Sequence, residues 1–270
     1  MHPKLFDFTL FGHTFTIHTY GAAMASSFML AMLLATRRAR KEGINPDHVI
    51  DVSFWVLILS ILGARALYFM TQPRAFSGLA DLFKLWQGGL VWYGGMIGGA
   101  IAVAGYTWIK KEPVWPLMDL LSPYVGLGYG FHRAFGCFNA GCCHGRPTEV
   151  PWGVIFPPGS PAANVYGAGV PVHPTQIYQA LLGWGLFLVL VWYRKRKRTH
   201  GEVTLLLFAL YAVGRSFIEH FRGDKIRGTH VLGLPLSTSQ FISVIVGIVC
   251  LILFFYLRSR KSAPLEATAA

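Results

Sequence analysis

Seven apolar stretches divide this chain, at about 17–36, 49–70, 88–109, 117–138, 175–193, 202–221 and 238–257. Each is near the ~20 residues that a helix needs to cross the hydrocarbon of a bilayer. No water satisfies the backbone there, so such segments form helices rather than irregular chain. The pattern predicts an all-α integral membrane protein with seven transmembrane helices, in a single domain over 1–270. With 53% hydrophobic and 13% charged residues, no soluble domain is needed to account for the chain.

The flanking charges give the orientation. Basic clusters follow the first, third, fifth and seventh stretches: Arg37, Arg38, Arg40 and Lys41; Lys110 and Lys111; Arg194 to Arg198; Arg258, Arg260 and Lys261. The opposite side carries half as many, namely Lys4, Arg74, Lys84, Arg146, Arg222, Lys225 and Arg227. Under the positive-inside rule the N-terminus is outside and the C-terminus cytoplasmic. The net charge of +12 lies in short juxtamembrane brackets, which suits anionic inner-leaflet lipid and argues against a nucleic-acid partner. The first 17 residues lack the basic start and small-residue cleavage site of a secretory signal, so the first helix is expected to stay as an anchor.

Three arginines, Arg65, Arg133 and Arg215, fall inside or at the edge of apolar runs. A cation there costs about 2.5–3.5 kcal/mol on insertion scales, so an anion is expected to meet it, and the commonest fixed anion in a bilayer is a phospholipid phosphate. The densest cluster runs from Tyr129 to Arg146 and includes His132, Arg133, Cys137, Asn139, Cys142, Cys143, His144 and Gly145. Arg133 lies one to two turns inside the outer boundary, at phosphate depth; snorkelling to the interface is the plainer reading of such an arginine. Arg215, Glu219 and Arg222 recur at i, i+4 and i+7, which on a helix puts them on one face, either as a structural ion pair or as a phosphate clamp.

His173-Pro174-Thr175-Gln176 and Ser237-Thr238-Ser239-Gln240 open the fifth and seventh stretches. Thr175 and Ser237 are expected as helix caps, and Gln176 and Gln240 as hydrogen-bonding groups for a glycerol or phosphate oxygen. Between 139 and 174 lies a long outward-facing loop whose prolines and glycines are expected to exclude regular helix; a long irregular loop is either functional or a surface cap. The glycines from Gly88 to Gly99 suit close helix packing. Cys137-x4-Cys142-Cys143 lacks the paired C-x2-C spacing of zinc sites, so no metal and no cofactor are expected; an oxidising face would favour a disulfide. No inverted internal repeat stands out, which weighs against a channel or carrier.

Taken together, Gly89-Leu90-Val91-Trp92-Tyr93-Gly94-Gly95, the Arg133–Arg146 block, His173-Pro174-Thr175-Gln176, the R-x3-E-x2-R of Arg215 to Arg222 and the S-x-S-Q start of the last helix resemble the prolipoprotein diacylglyceryl transferase family. Tyr20-Gly21 and Gly63-Ala64-Arg65 extend the likeness. The resemblance implies a bacterial inner-membrane enzyme that moves the diacylglyceryl group of phosphatidylglycerol onto the lipobox cysteine of a prolipoprotein signal peptide, releasing glycerol 1-phosphate. It implies Arg133 as the phosphatidylglycerol-binding arginine; Arg65, Gln176 and Gln240, by their own chemistry and position, are expected as further substrate contacts. Arg215 is then the second essential arginine, with Tyr20 and Tyr93 at the reacting centre. Glu219, Arg222, Asn139, Gly145, Arg146, His132 and His144 are expected in support. The chain departs from the family pattern at Tyr93, where a histidine is usual, at Cys137 and Cys142, where asparagine and glutamate are usual, and by one extra residue between Arg133 and Gly136. The alternative is a paralogue that binds phospholipid and uses the Cys142-Cys143-His144 cluster for another thiol or lipid modification.

Overall fold

The structure, a computed structural model, describes residues 1, 4–10, 13–72, 91–223 and 237–259. They are mostly helical and fall into two compact units, one drawn from the chain up to Leu34 and from Asp119 onward, the other from Ala35 to Met118. In chain order the elements are strands β1 (Lys4–Leu10) and β2 (His13–His18), then helices α1 (Thr19–Lys41), α2 (Pro46–Thr71), α3 (Trp92–Lys110) and α4 (Val114–Phe131). A π-helical segment, His132–Cys137, leads into the short α5 (Phe138–Ala140). Then come β3 (Val154–Ile155), α6 (Pro161–Tyr166), β4 (Pro171–Val172), α7 (Thr175–Arg194), α8 (Glu202–Glu219) and α9 (Thr238–Ser259). The long helices follow the apolar stretches to within a few residues; 88–90, the start of the third stretch, lies outside the described residues. Four of them, α1, α2, α7 and α9, are long and apolar enough to cross a membrane.

Two features correct the all-helical expectation. β1 and β2 pair antiparallel, with Asp7 opposite Thr16 and the Thr16 hydroxyl donating to the Asp7 carboxylate. The alternating Thr14-Phe15-Thr16-Ile17 is a strand signal that a search for 20-residue apolar runs passes over. The loop from 139 to 174 does hold a regular turn of helix, α6. Ser160 caps it by accepting the Ala163 N–H at 3.3 Å, and Pro161 takes the first helical position, where a proline starts a helix instead of breaking it.

In the unit from Ala35 to Met118, α2 starts at Pro46 behind Asn45, whose side chain accepts the Asp47 N–H. α2 and α3 then pack backbone to backbone. A Cβ on Gly94 would strike the Gly63 carbonyl, and one on Gly98 the Leu59 carbonyl, so only glycine permits this approach. His48 joins the pair, with Nδ1 at 2.8 Å from the Tyr106 hydroxyl and Nε2 at 3.1 Å from Glu112.

In the other unit, α7, α8 and α9 share a core of Leu186, Leu190, Val203, Leu207 and Phe254. Their other faces expose Leu188, Trp192, Phe217, Ile252 and Phe255, an apolar surface that suits lipid. Where α7 turns into α8 a fully buried carboxylate, Asp119, accepts from the Gly201 N–H at 2.9 Å, the Thr204 N–H at 3.0 Å, the Thr204 hydroxyl at 2.9 Å and Lys197 at 3.2 Å. Beside it Glu202 accepts from the backbone of Arg198 and Thr199 and from the Tyr193 hydroxyl.

Candidate functional site

Residues after Phe131 leave the α-helical register. Over His132–Cys137 the helix widens by one residue, and the Phe138 N–H reaches back five positions to the Arg133 carbonyl. The wide turn holds Arg133 and Cys137 together: Arg133 Nη1 lies 3.5 Å from the Cys137 Sγ.

The same nitrogen lies 3.3 Å from the Cys143 Sγ, and the guanidinium sits over the Tyr129 ring at 5.0 Å. The sulfurs of Cys137, Cys142 and Cys143 all fall within 4.8 Å of one another. His132 Nε2 is 3.6 Å from the Cys137 sulfur, and the ring of Tyr20 packs edge-on against His132 with centroids 4.7 Å apart. The close Cys137 and Cys142 side chains, aided by the Arg133 and Arg222 charges, hold the Cys143 thiol below its ordinary range. Hydrogen bonds to its two sulfur neighbours and burial push Cys142 up.

The loop is pinned where it brings the sulfurs in. Cys143 has φ of +60°, a left-handed conformation uncommon outside glycine. Its carbonyl accepts the Thr175 hydroxyl at 2.5 Å, and the Cys142 carbonyl accepts the Gln176 side-chain N–H at 2.8 Å. Thr175 is therefore not the cap of α7. Pro174 occupies that position without a side-chain bond, and Thr175 serves the neighbouring loop instead. Gln176, fully buried, is likewise held by the chain itself through its amide nitrogen.

Past the cysteines, Gly145 and Arg146 are zipped between two other segments. The Gly145 N–H donates to the His173 carbonyl at 2.9 Å, and the Arg146 N–H to the Phe221 carbonyl at 2.9 Å. A Cβ on Gly145 would collide with His173 and with the Phe221 carbonyl, so glycine is required at this crossing. His144 is buried with its ring edge-on to Tyr166, whereas the Arg146 side chain is exposed. Asn139 turns back on its own helix and donates to the Phe135 carbonyl at 2.8 Å. His173, buried near the Arg146 charge, is held below the usual imidazole range.

Arg215 on α8 pairs with Glu219 at 2.5 Å, both nearly buried, and the Glu219 carboxylate also accepts the Ser237 hydroxyl at 2.9 Å. α8 ends at Glu219, so the i+7 member of the expected stripe, Arg222, stands in the turn that follows and not on the helix itself. Arg222 instead pairs its backbone with Gly145, and the turn brings its Nε to 3.8 Å from Glu219. Ser237 and Gln240 form a reciprocal cap: the Ser237 hydroxyl accepts the Gln240 N–H at 3.2 Å, and the Gln240 amide oxygen accepts the Ser237 N–H at 3.0 Å. Ser237 is thus the cap the sequence indicates, and Gln240 is largely engaged by it.

Tyr129 links the two arginine clusters. It lies beneath Arg133, donates to the Gln179 amide oxygen at 3.0 Å and meets edge-on the ring of Tyr211, one turn before Arg215. Sequence reading missed Tyr129 as a site residue, although it stands four residues before Arg133 and so on its helical face. Arg133 Nε, His132 Nδ1, Gln176 Oε1 and Arg215 Nη2 are buried without a hydrogen-bond partner among the described residues. Orphaned polar atoms of this kind cost about 1–3 kcal/mol each, and such a cluster marks a place built to receive a polar ligand. A cavity of about 340 Å3 lined by Ser26, Ser27, Leu30, Phe131 and Phe135 lies in the same unit. Arg65 and Tyr93 belong to the other unit. Arg65 is buried on α2, with its guanidinium 5.8 Å from the Tyr68 ring centre, and Tyr93 is half-buried in the first turn of α3.

Apolar helices with lipid-suited faces, enclosing guanidinium, thiol and hydroxyl groups, define a helical membrane protein with a buried polar centre. The sequence profile described as prolipoprotein diacylglyceryl transferase matches residues 8–256, and the chain belongs to that family. It is 39% identical, over 97% of its length and 100% of the relative's, to the phosphatidylglycerol–prolipoprotein diacylglyceryl transferase of Clostridium tetani (strain Massachusetts / E88). It is 36% identical to phosphatidylglycerol–prolipoprotein diacylglyceryl transferase 2 of Clostridium perfringens, over 85% of this chain and 87% of that one. The identity is 34% to the Shewanella oneidensis enzyme of the same name as the first, over 89% of each chain.

Proposed function

We propose that this chain transfers the diacylglyceryl group of phosphatidylglycerol to the lipobox cysteine thiol of a prolipoprotein and releases glycerol 1-phosphate. The observation that carries the reading is the pair of family-matched arginines, Arg133 and Arg215, each with a buried N–H that has no partner among the described residues. The leaving group turns from a phosphodiester into a phosphomonoester and gains negative charge, and guanidinium groups fixed in a low-dielectric site stabilise that change more than the starting state. Glu219, held by Ser237, fixes the direction of Arg215. Tyr20, against His132, lines the reacting centre, and Asn139, Gly145 and Arg146 shape its rim. The cavity beside Phe131 and Phe135 suits an acyl chain. Tyr93, at the reacting centre, and Arg65, as a lipid contact, keep the roles expected of them from the sequence.

The enzyme sits in the bacterial inner membrane as a single seven-span domain, N-terminus outside, with the 139–174 loop facing outward. Both substrates then reach the site from the outer leaflet. Incubation with labelled phosphatidylglycerol and a lipobox peptide yields a thioether-linked product and free glycerol phosphate. Transfer that survives Arg133→Gln at the wild-type rate defeats the reading. A second reading keeps the phospholipid site and assigns the Cys142-Cys143-His144 cluster to another thiol or lipid modification. What favours it is the gathering of three sulfurs at Arg133. Phosphatidylglycerol binding without transfer to any lipobox peptide would single it out.

A further inference from the structure

We infer that Cys137, Cys142 and Cys143 form a three-thiolate zinc site whose fourth coordination position takes the incoming lipobox thiol; the catalytic half rests on the transferase reading above. Zinc binds thiolate sulfur at ~2.3 Å in a tetrahedron, which puts neighbouring sulfurs about 3.8 Å apart. The three sulfurs here already lie within 4.8 Å of one another, so small side-chain rotations close them on one ion. All three are free thiols.

The surroundings are built to hold that geometry. Cys137 projects from the widened turn, and Cys142 and Cys143 sit on a loop whose carbonyls are tied to Gln176 and Thr175. Charge also balances. Three thiolates and a divalent zinc sum to one negative charge, and Arg133, with an N–H at 3.5 and 3.3 Å from two of the sulfurs, supplies one positive charge. N–H donors to ligand sulfur are the ordinary outer shell of such a site. Three protein ligands leave a fourth position open, which is the pattern of catalytic rather than structural zinc.

A zinc-bound thiol loses its proton at neutral pH, which supplies the nucleophile that thioether formation needs. On binding, the lipobox thiol gives its proton to water. Its sulfur electron pair then attacks the glycerol carbon bearing the phosphate oxygen. The carbon–oxygen bond breaks with its electrons on that oxygen, and glycerol 1-phosphate leaves with two negative charges where the phosphodiester had one. The thiolate's charge has moved to the phosphate, between Arg133 and Arg215.

The test uses the full-length protein, purified in detergent under reducing, metal-free conditions, with Co2+ alone as the probe. One equivalent produces a sulfur-to-cobalt charge-transfer band that one equivalent of Zn2+ removes, and Cys142→Ser and Cys143→Ser each weaken binding by about 100-fold or more. A lipobox peptide raises the band by about one third, from three thiolates to four, and the same peptide with serine for cysteine leaves it unchanged. Thermal unfolding in detergent shows that the variants remain folded. A missing band, or a disulfide among the three cysteines in protein isolated with its thiols trapped, overturns the site. Full transfer by metal-free enzyme overturns its catalytic role and leaves the transferase reading standing. Metal binding of the expected stoichiometry without transfer to any peptide upholds the site and defeats that reading instead.

Discussion

The two ends of α8 bury polar groups in opposite ways. At its start, Asp119 and Glu202 are fully buried and every carboxylate oxygen accepts a hydrogen bond, from backbone N–H, hydroxyl or Lys197. At its end, about 20 Å away at the rise of an α-helix, Arg215 keeps an orphaned nitrogen, and across Tyr129 so do Arg133 and His132. A satisfied network of this kind fixes a turn and requires nothing further. The unsatisfied one is stable only because the rest of the fold holds it, and it is the end where chemistry can happen.

The largest expected effect falls on the open end. Arg133→Gln should lower kcat/KM for transfer by about 100-fold or more, the scale of losing one charge-stabilising donor, with circular dichroism and thermal unfolding in detergent unchanged. The closed end should behave in reverse. Asp119→Ala leaves Lys197 and the α8 N-terminus without their acceptor and should cost about 3 kcal/mol or more in unfolding free energy, with activity per folded molecule unchanged. Loss of activity without loss of stability in that variant would erase the contrast. Glu219→Gln removes the charge that aims Arg215 but keeps a hydrogen-bond acceptor, and should slow transfer by about tenfold, an effect to be read mainly in kcat. The smallest effect concerns pH. His173 is held below its ordinary pKa by burial and by Arg146, so the unfolded chain takes up its proton first as pH falls. Stability from this group is complete above the ordinary imidazole pKa and is lost as pH drops through the folded value. Unfolding temperatures measured across that window should fall more steeply for the wild type than for His173→Gln.

Much of this was legible in the residues. Helix positions followed from the apolar runs because burial in lipid or core leaves backbone no alternative, and the Arg215–Glu219 pair followed from i, i+4 spacing. Arg222 does meet Glu219 as the spacing suggested, but from the turn after α8, because spacing alone does not reveal where a helix stops. Thr175 had the right chemistry for a helix cap, but Pro174 takes that place and the Thr175 hydroxyl holds the cysteine loop, which no spacing in the sequence reveals. The β1–β2 hairpin was passed over for want of a long apolar run. The three cysteines stood out in the sequence as a cluster, but their meeting at Arg133 did not, because Cys137 and the Cys142-Cys143 pair come from a helix and a loop and only the fold brings them to one guanidinium.

The widened turn at His132–Cys137 has a consequence for how this helix can change. Adding one residue to an ordinary helix would rotate everything beyond it by about 100° and swing Phe138, Asn139 and the loop that follows to a different side. Here the surplus is swallowed within six residues, like an expansion joint in a rail, and the track on either side keeps its heading.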